Sequence, residues 1–501
     1  MSRQQLSGAI GYRRPESQGS DQVHRWRAFA VLAVSFFITV ADLAIVNVAL
    51  PTIGRKLHMP ESALQWVVTG YALTFGGFLL LGGRAADLLG RRRILMVGLA
   101  VFTAASLGCG LATAEGFLIA MRFLQGLGAA IVLPAALSIV MNMFPEGAER
   151  NKALGVWGAI GASGAAVGVL AGGLLTRYAG WQYIFFLNVP IGAAALALAP
   201  RVVPESRLAT ERRRYDAFGA VTVTGGLSLL VYAVSTAPQA GWGTARTVAL
   251  LAVSAVLLAA FVVIETRVEA PLMPLRIFRA KTLAGANAVG VLLGGGFFAY
   301  IFIGTLYLQQ VLGYSPLKAG LAWLVMALSS VAFAGLSQAL VTRGSARLVM
   351  AAGMAMIGGG ILWSTQVPVH GHFWASLAGP FIIVGIGTAF AFIPVSIAGL
   401  AGVGEHEAGL ASGLINTSQQ LGGAVGVAVA STIAATHAST LLRQGTAPAA
   451  ALTSGFQWAF WACGVIGLAA VPVTYLLVRR NELATAVART SQKPQPAPAD
   501  A

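Results

Sequence analysis

The 501-residue sequence predicts an all-α membrane protein of fourteen transmembrane helices arranged 6+2+6, with both termini in the cytoplasm. Three observations predict it. Hydrophobic residues make up 57% of the chain and charged ones 10%, with a mean hydropathy of +0.76; soluble domains are nearer half apolar and a quarter charged. Fourteen stretches reach the roughly 20 apolar residues that a helix needs to cross a bilayer core. The basic residues, finally, gather in alternate loops. Such a chain is neither an ordinary soluble enzyme nor a disordered protein.

Taken in order, residues 1–26 are polar and lack the apolar core and cleavage site of a signal peptide, so they read as a cytoplasmic tail. Spans then begin near residues 28, 64, 94, 117, 153 and 183, making a six-helix half over 27–200. A basic loop and two inserted spans, beginning near 217 and 247, fill 201–282 together with a linker. Six more begin near 284, 319, 348, 374, 409 and 456, a second half over 283–480. Residues 481–501, ending QKPQPAPADA, read as a disordered tail. Glycine-rich spans 5 and 13 occupy equivalent places, each behind a short loop (PEGAERNKALG and GVGEHEAGLASG). The loop GGRAADLLGRRR after span 2 has a weaker partner, QALVTRGSAR, after span 10. Internal repeats of this kind mark alternating-access transporters. Spans 7 and 8 carry no residue to which the sequence assigns a role.

The formal net charge is +16, from 33 Lys and Arg against 17 Asp and Glu. Of the 33, 26 fall on the side of the termini, six on the other side and one, Arg122, within a span. That bias places the termini in the cytoplasm and marks the charges as topology signals, not as a nucleic-acid face. An uneven 28 Arg to 5 Lys points to a GC-rich bacterial genome and hence a multi-pass bacterial cell-membrane protein. Cys109 and Cys463 both lie in apolar segments without CxxC spacing, so neither a disulfide framework nor a metal site is expected.

Charges at bilayer depth are costly and therefore candidates for function. Asp42 alone among the acids lies well inside a span, nine residues before Pro51, or roughly 13 Å deep. Arg122, seven residues beyond Glu115, comes to about 10 Å from the same outer side. Similar depth permits contact without proving it. A structural ion pair is one reading. The other is a proton site, because burial opposes the charged form of a carboxylate and a nearby guanidinium favours it, so that a small rearrangement loads or releases a proton. No histidine offers a competing relay within the spans. Asn47 and Gln125 are the supporting polar residues nearest in sequence. Glycines three or four apart in span 5 suit close helix contact, and equally a face that slides. No phosphate loop, HExxH or GxSxG occurs, so no catalytic residues and no cofactor are expected.

These landmarks together resemble the fourteen-helix drug:proton antiporters of the major facilitator superfamily, over about residues 28–480. ADLAIVNVALP (Ala41–Pro51) is similar to that branch's first-helix motif and carries Asp42 and Asn47. WVVTGYALTFGGFLLLGGRAADLLGRRR (Trp66–Arg93) resembles helix 2 with the superfamily's loop signature at Gly83, Asp87, Gly90, Arg91 and Arg92; Leu88 stands where arginine is usual. MRFLQGLGAA matches Arg-x-x-Gln-Gly at Arg122, Gln125 and Gly126. Span 5 resembles the antiporter motif at Gly155, Gly164, Gly168, Gly172 and Gly173, with Val169 where proline is usual. WQYIFFLNVPIG (Trp181–Gly192), YLQQVLGYSPLKAG (Tyr307–Gly320) and GLASGLINTSQQLGGAVGVAV (Gly409–Val429) are further family-like strings.

The resemblance implies a major facilitator fold and proton-coupled efflux of hydrophobic or amphipathic small molecules by alternating access. The proton gradient would supply the energy, and the working unit would be a monomer in the lipid bilayer. Asp42 would carry the proton, with Arg122 and Gln125 governing when it does so. The Gly83–Arg92 loop would form the inner gate, with Asp87 beside the start of span 13. Tyr71, Phe75, Tyr300 and Asn416 are candidates to line a substrate cavity. A single embedded carboxylate fits neutral, anionic or monocationic substrates better than dications. Two alternatives remain at this point: a dedicated exporter of a lipid or of a secondary metabolite such as an antibiotic, and a non-transporting sensor or assembly partner.

Overall fold

A computed structural model describes residues 15–59, 61–144, 148–205, 216–268, 271–399 and 408–479. Among them the chain is helical and contains no strand. The first half comprises α1 (Pro15–Leu57), α2 (Glu61–Leu89), α3 (Arg91–Gly110), α4 (Glu115–Met143) and α5 (Ala148–Tyr178), then the short α6 (Tyr183–Phe186) leading into α7 (Asn188–Val202). Next come α8 (Ala217–Ala240) and α9 (Ala245–Glu265). The second half comprises α10 (Lys281–Leu306), α11 (Pro316–Leu340), α12 (Ala346–Trp363), the short α13 (Phe373–Ser376), α14 (Ala378–Gly399), α15 (Ala408–Arg443) and α16 (Pro448–Leu477). Among the described residues, thirteen segments are long and apolar enough to cross a membrane. The expected fifth span is not one of the thirteen; its place is taken by α5, a helix of 31 residues.

Local chemistry explains several boundaries. α2 and α3 are separated by Gly90 at φ 107°, a left-handed conformation that costs any residue with a Cβ. α8 begins at Asp216, whose Oδ1 accepts the Gly219 N–H at 2.7 Å, and α11 at Ser315 with Pro316 in the first turn. At the end of α9, the buried Glu265 accepts the backbone N–H groups of Leu272 and Met273, each at 3.1 Å. It thereby ties α9 to the linker that leads into α10.

The two halves pack by the same scheme. α1 lies on α5, α2 and α3 on α4, and α3 on α7; correspondingly α10 lies on α15, α11 and α12 on α14, and α12 on α16. Each half has its own apolar core. Across the divide, α5 meets α11 and, in the equivalent place, α2 meets α15. α8 occupies the second of these seams, packed on both α2 and α15. Its Ser228 comes so close to Gly77 of α2 that a Cβ there would make the hydroxyl turn aside, and Trp242 beyond its end donates to Thr432 of α15 at 2.9 Å. α9 packs on α8 and exposes Val248, Val253, Val256 and Val262, the composition of a lipid-facing helix.

Candidate functional site

The structure brings Asp42 and Arg122 into contact inside the first half, both essentially without solvent exposure. Arg122 Nη1 donates to Asp42 Oδ2 at 2.5 Å. The other carboxylate oxygen accepts from two amides, Gln125 Nε2 and Asn188 Nδ2, each at 2.8 Å. Four helices meet at this carboxylate's network: α1 supplies Asp42, α4 Arg122 and Gln125, α7 Asn188, and α3 the Ser106 hydroxyl that accepts from Gln125 at 2.7 Å.

Desolvating two ions costs several kcal/mol each, so such a pair survives only where the remaining donors and acceptors are used. Here they are. Arg122 Nε donates to the Val67 carbonyl at 2.8 Å and Nη1 also reaches Gln125 Oε1 at 2.7 Å. The guanidinium lies over the Tyr71 ring, 4.4 Å from its centroid, with the Phe185 ring 5.8 Å away. Tyr71 is itself held by donating to the Thr39 carbonyl at 3.2 Å. The Cys109 thiol completes the set at 3.6 Å from Gln125 Oε1.

Glycine sets how α1 presents Asp42. A Cβ on Gly168 would lie 2.5 Å from the Ala41 carbonyl oxygen, and one on Gly172 2.7 Å from that of Ile45, so α5 lies directly against the turn that carries Asp42. Gly164 sits against Val40 in the same stripe. Gly173 points elsewhere, to the backbone of Leu317 at the start of α11 in the other half. The motif glycines therefore serve two contacts, one within a half and one between halves. The surroundings of Gly155 lie outside the described residues.

In the gating loop, Gly83 and Gly90 are buried, as are Asp87 and Arg91. Arg91 Nη2 pairs with Asp87 at 2.9 Å and its Nε donates to the same oxygen at 3.0 Å; Ser138 of α4 adds a hydroxyl at 3.4 Å. Arg92 turns away to α7, donating to the carbonyls of Pro200 and Val203 and pairing with Glu205. The expected place of Asp87, at the start of span 13, involves residues 400–407, which lie outside the described residues.

Of the remaining candidates, only Tyr71 touches the Asp42–Arg122 network, through its ring under Arg122. Asn47 donates to the Leu43 carbonyl of its own helix at 2.9 Å. Tyr71 and Phe75 are buried in the first half's core, with rings stacked 5.7 Å apart. Tyr300 is fully buried in the second core, edge-on to Trp323, Phe381 and Phe460 and bonded to the Ser364 hydroxyl at 3.0 Å. Asn416 is partly buried on α15. In this conformation packing against other rings buries the three aromatics. Sequence reasoning missed Asn188. The string LNVP held the signal, since an amide inside an apolar span is costly unless bonded.

Comparison with known proteins follows the same lines. The sequence model of the Major Facilitator Superfamily matches residues 32–427. The chain is 37% identical over 502 residues to the puromycin resistance protein pur8 of Streptomyces alboniger, covering 99% of both. It is 39% identical over 410 residues to the cephamycin export protein CmcT of Amycolatopsis lactamdurans, covering 81% of this chain and 84% of that one. In fold it is similar to the crystal structure of the human organic anion transporter MFSD10 (TETRAN), with a TM-score of 0.63 at 15% identity, over 90% of this chain and 99% of that one.

Proposed function

The chain belongs to the major facilitator superfamily, and within that family of transporters we propose that it is an efflux transporter of hydrophobic or amphipathic small molecules, driven by inward flow of protons. The observation that carries this reading is the carboxylate of Asp42, buried and bonded by three donors from two other helices. All three donors address the ionised form. Oδ1 already receives two N–H donors, so a proton on that oxygen requires one of them to withdraw, and a proton on Oδ2 must share that oxygen with Arg122. Arg122 and Gln125 ride on α4 and Asn188 on α7, and protonation is thereby coupled to the relative position of α1, α4 and α7. The smooth contacts of α5 with α1 and α11 let such a shift pass to the seam between the halves. Substrate and proton would use opposite phases of one rocking motion of a monomer, with no covalent chemistry and no cofactor.

Relatives named for puromycin resistance and cephamycin export favour antibiotics as the substrate class, which also supports a second reading: a dedicated exporter of one such compound. Inverted membrane vesicles under an imposed pH gradient test both. Puromycin, ethidium and a panel of other antibiotics are offered to wild type and to Asp42→Asn at matched protein levels. Gradient-driven uptake of several compounds by wild type and none by the variant is expected. Uptake of a single compound selects the dedicated exporter. Equal uptake by both proteins makes Asp42 structural and ends the proton-site reading.

A further inference from the structure

The Asp42 site must serve an ionised and a protonated carboxyl with the same neighbours, and its three donors differ in what they can do. A guanidinium has only N–H donors, so Arg122 can bond the carboxylate but never accept the proton of the acid. Gln125 is committed on both sides. Its NH2 serves Asp42 and Ser106, and its oxygen receives Arg122 and Cys109. Asn188 is bonded on one side only. Its Nδ2 donates to Asp42 Oδ1 at 2.8 Å, while its Oδ1 has no hydrogen-bond partner among the described residues. An ionised carboxylate only accepts, which is why the amide presents its NH2 here.

Asn188 and Asp42 also share the wall of a small cavity, about 30 Å³, room for a water or two. Apolar side chains such as Phe37, Ile38 and Ile191 line most of the rest. Val167 and Leu187 line it as well and are exposed, so it lies at the outer surface of the first half. That is the side of α5 away from α11, which packs on Val169 and Gly173. A water there would be within reach of both polar groups and far from the seam between the halves.

We propose that Asn188 is the positioning residue that turns over when Asp42 takes its proton. The amide rotates so that its Oδ1 accepts the new O–H, and its NH2 moves toward the cavity. This rests on Asp42 as the proton carrier. The only bond made or broken is that O–H, with water as donor and recipient of the proton. The charged group facing the pair is Arg122 of α4; behind it stand the Tyr71 phenol of α2 and the Cys109 thiol of α3. The described charged residues of α5 and α7 (Glu149, Arg150, Lys152, Arg177 and Arg201) lie toward helix ends. The amide, with its Oδ1 unengaged, is thus the one of the three donors free to accept the acid's O–H, and it opens α7. Proton uptake is thereby transmitted to that helix.

Infrared difference spectroscopy of the purified full-length protein in lipid, stepped through pH, tests this without a transported substrate. The carboxylic C=O band absent in Asp42→Asn identifies the proton. In wild type, an asparagine amide C=O band that Asn188→Leu lacks is expected to shift with the same midpoint. Leucine keeps the shape of Asn188 and removes both donor and acceptor. The carboxylate then loses a charge-assisted bond and the acid only a neutral one, so the midpoint moves up by about one pH unit. Asn188→Gln, which keeps both groups, brings it back most of the way. An Asp42 band that titrates while no amide band follows it in wild type overturns the proposal, even if the leucine variant fails to fold. So does an unmoved midpoint in that variant. The absence of any titrating Asp42 band sinks the proton-carrier reading instead, which is a different result.

Discussion

Gly168→Ala is the sharpest perturbation of the site, because it adds one methyl group outside the polar network. The new Cβ would sit 2.5 Å from the Ala41 carbonyl oxygen and 3.1 Å from its Cα, where ordinary contact begins near 3.4 Å. Both obstacles are backbone, so no side chain can swing aside. α1 and α5 must part by roughly 0.9 Å at the residue before Asp42. A displacement of that size, taken along the hydrogen bonds, carries the 2.5 and 2.8 Å contacts beyond the usual range of about 2.7–3.2 Å. Overpacking of this kind costs about 1–3 kcal/mol, and a weakened charge-assisted bond adds about 1.5–3 kcal/mol at most. Thermal unfolding in detergent should report the first, and gradient-driven efflux from inverted vesicles the second, with a fall of roughly tenfold or more for each 1.4 kcal/mol of lost coupling. Gly359→Ala is the control: on α12 nothing lies within 4 Å of the added carbon, and both readings should stay at wild type. If Gly168→Ala matches that control in stability and efflux, α5 does not hold Asp42 in place and the reasoning fails.

Arg122→Lys keeps the charge but cannot reproduce a fork that bonds Asp42, Gln125 and the Val67 carbonyl together. Efflux is expected to fall about 10- to 100-fold with the protein still inserted and folded, the loss of one to two charge-assisted bonds; efflux near wild type shows that charge alone suffices. Arg91→Leu leaves Asp87 buried with the Ser138 hydroxyl, at 3.4 Å, as its remaining hydrogen-bond donor among the described residues. Breaking such a pair costs about 3–5 kcal/mol, whereas removing both ions in Asp87→Leu/Arg91→Leu should recover much of it. Thermal stability of the three proteins decides, and a double variant no better than the single one contradicts the pairing.

The place of α8 gives the inserted pair a structural meaning. By packing on both α2 and α15 it bridges one of the two seams along which the halves meet, leaving the α5–α11 seam uncovered by it. Its contacts are of two kinds: a close approach at Gly77–Ser228 and the Trp66–Tyr232 ring stack at 5.4 Å toward α2, and the Trp242–Thr432 bond toward α15. Nothing in the string of spans 7 and 8 announces this, because an apolar helix reads alike whether its neighbours are lipid or protein.

Periodic and compositional properties of this protein were legible in its sequence because each residue contributes to them independently of the others. Hydropathy marked the spans, glycine spacing marked α5 and α15 as close-packing helices, and the cost of an embedded charge singled out Asp42 and Arg122. The last pair could even be matched by depth, since helical rise is constant. Azimuth was not legible. Which face of α1 turns toward α4 and α7 depends on packing among helices separated by up to 146 positions, the interval from Asp42 to Asn188. For that reason only the tertiary structure recruited Asn188, divided the glycines of α5 between α1 and α11, and buried Tyr300 among rings. A side chain's depth follows from its place in the chain; its partners follow from how the helices are turned against one another.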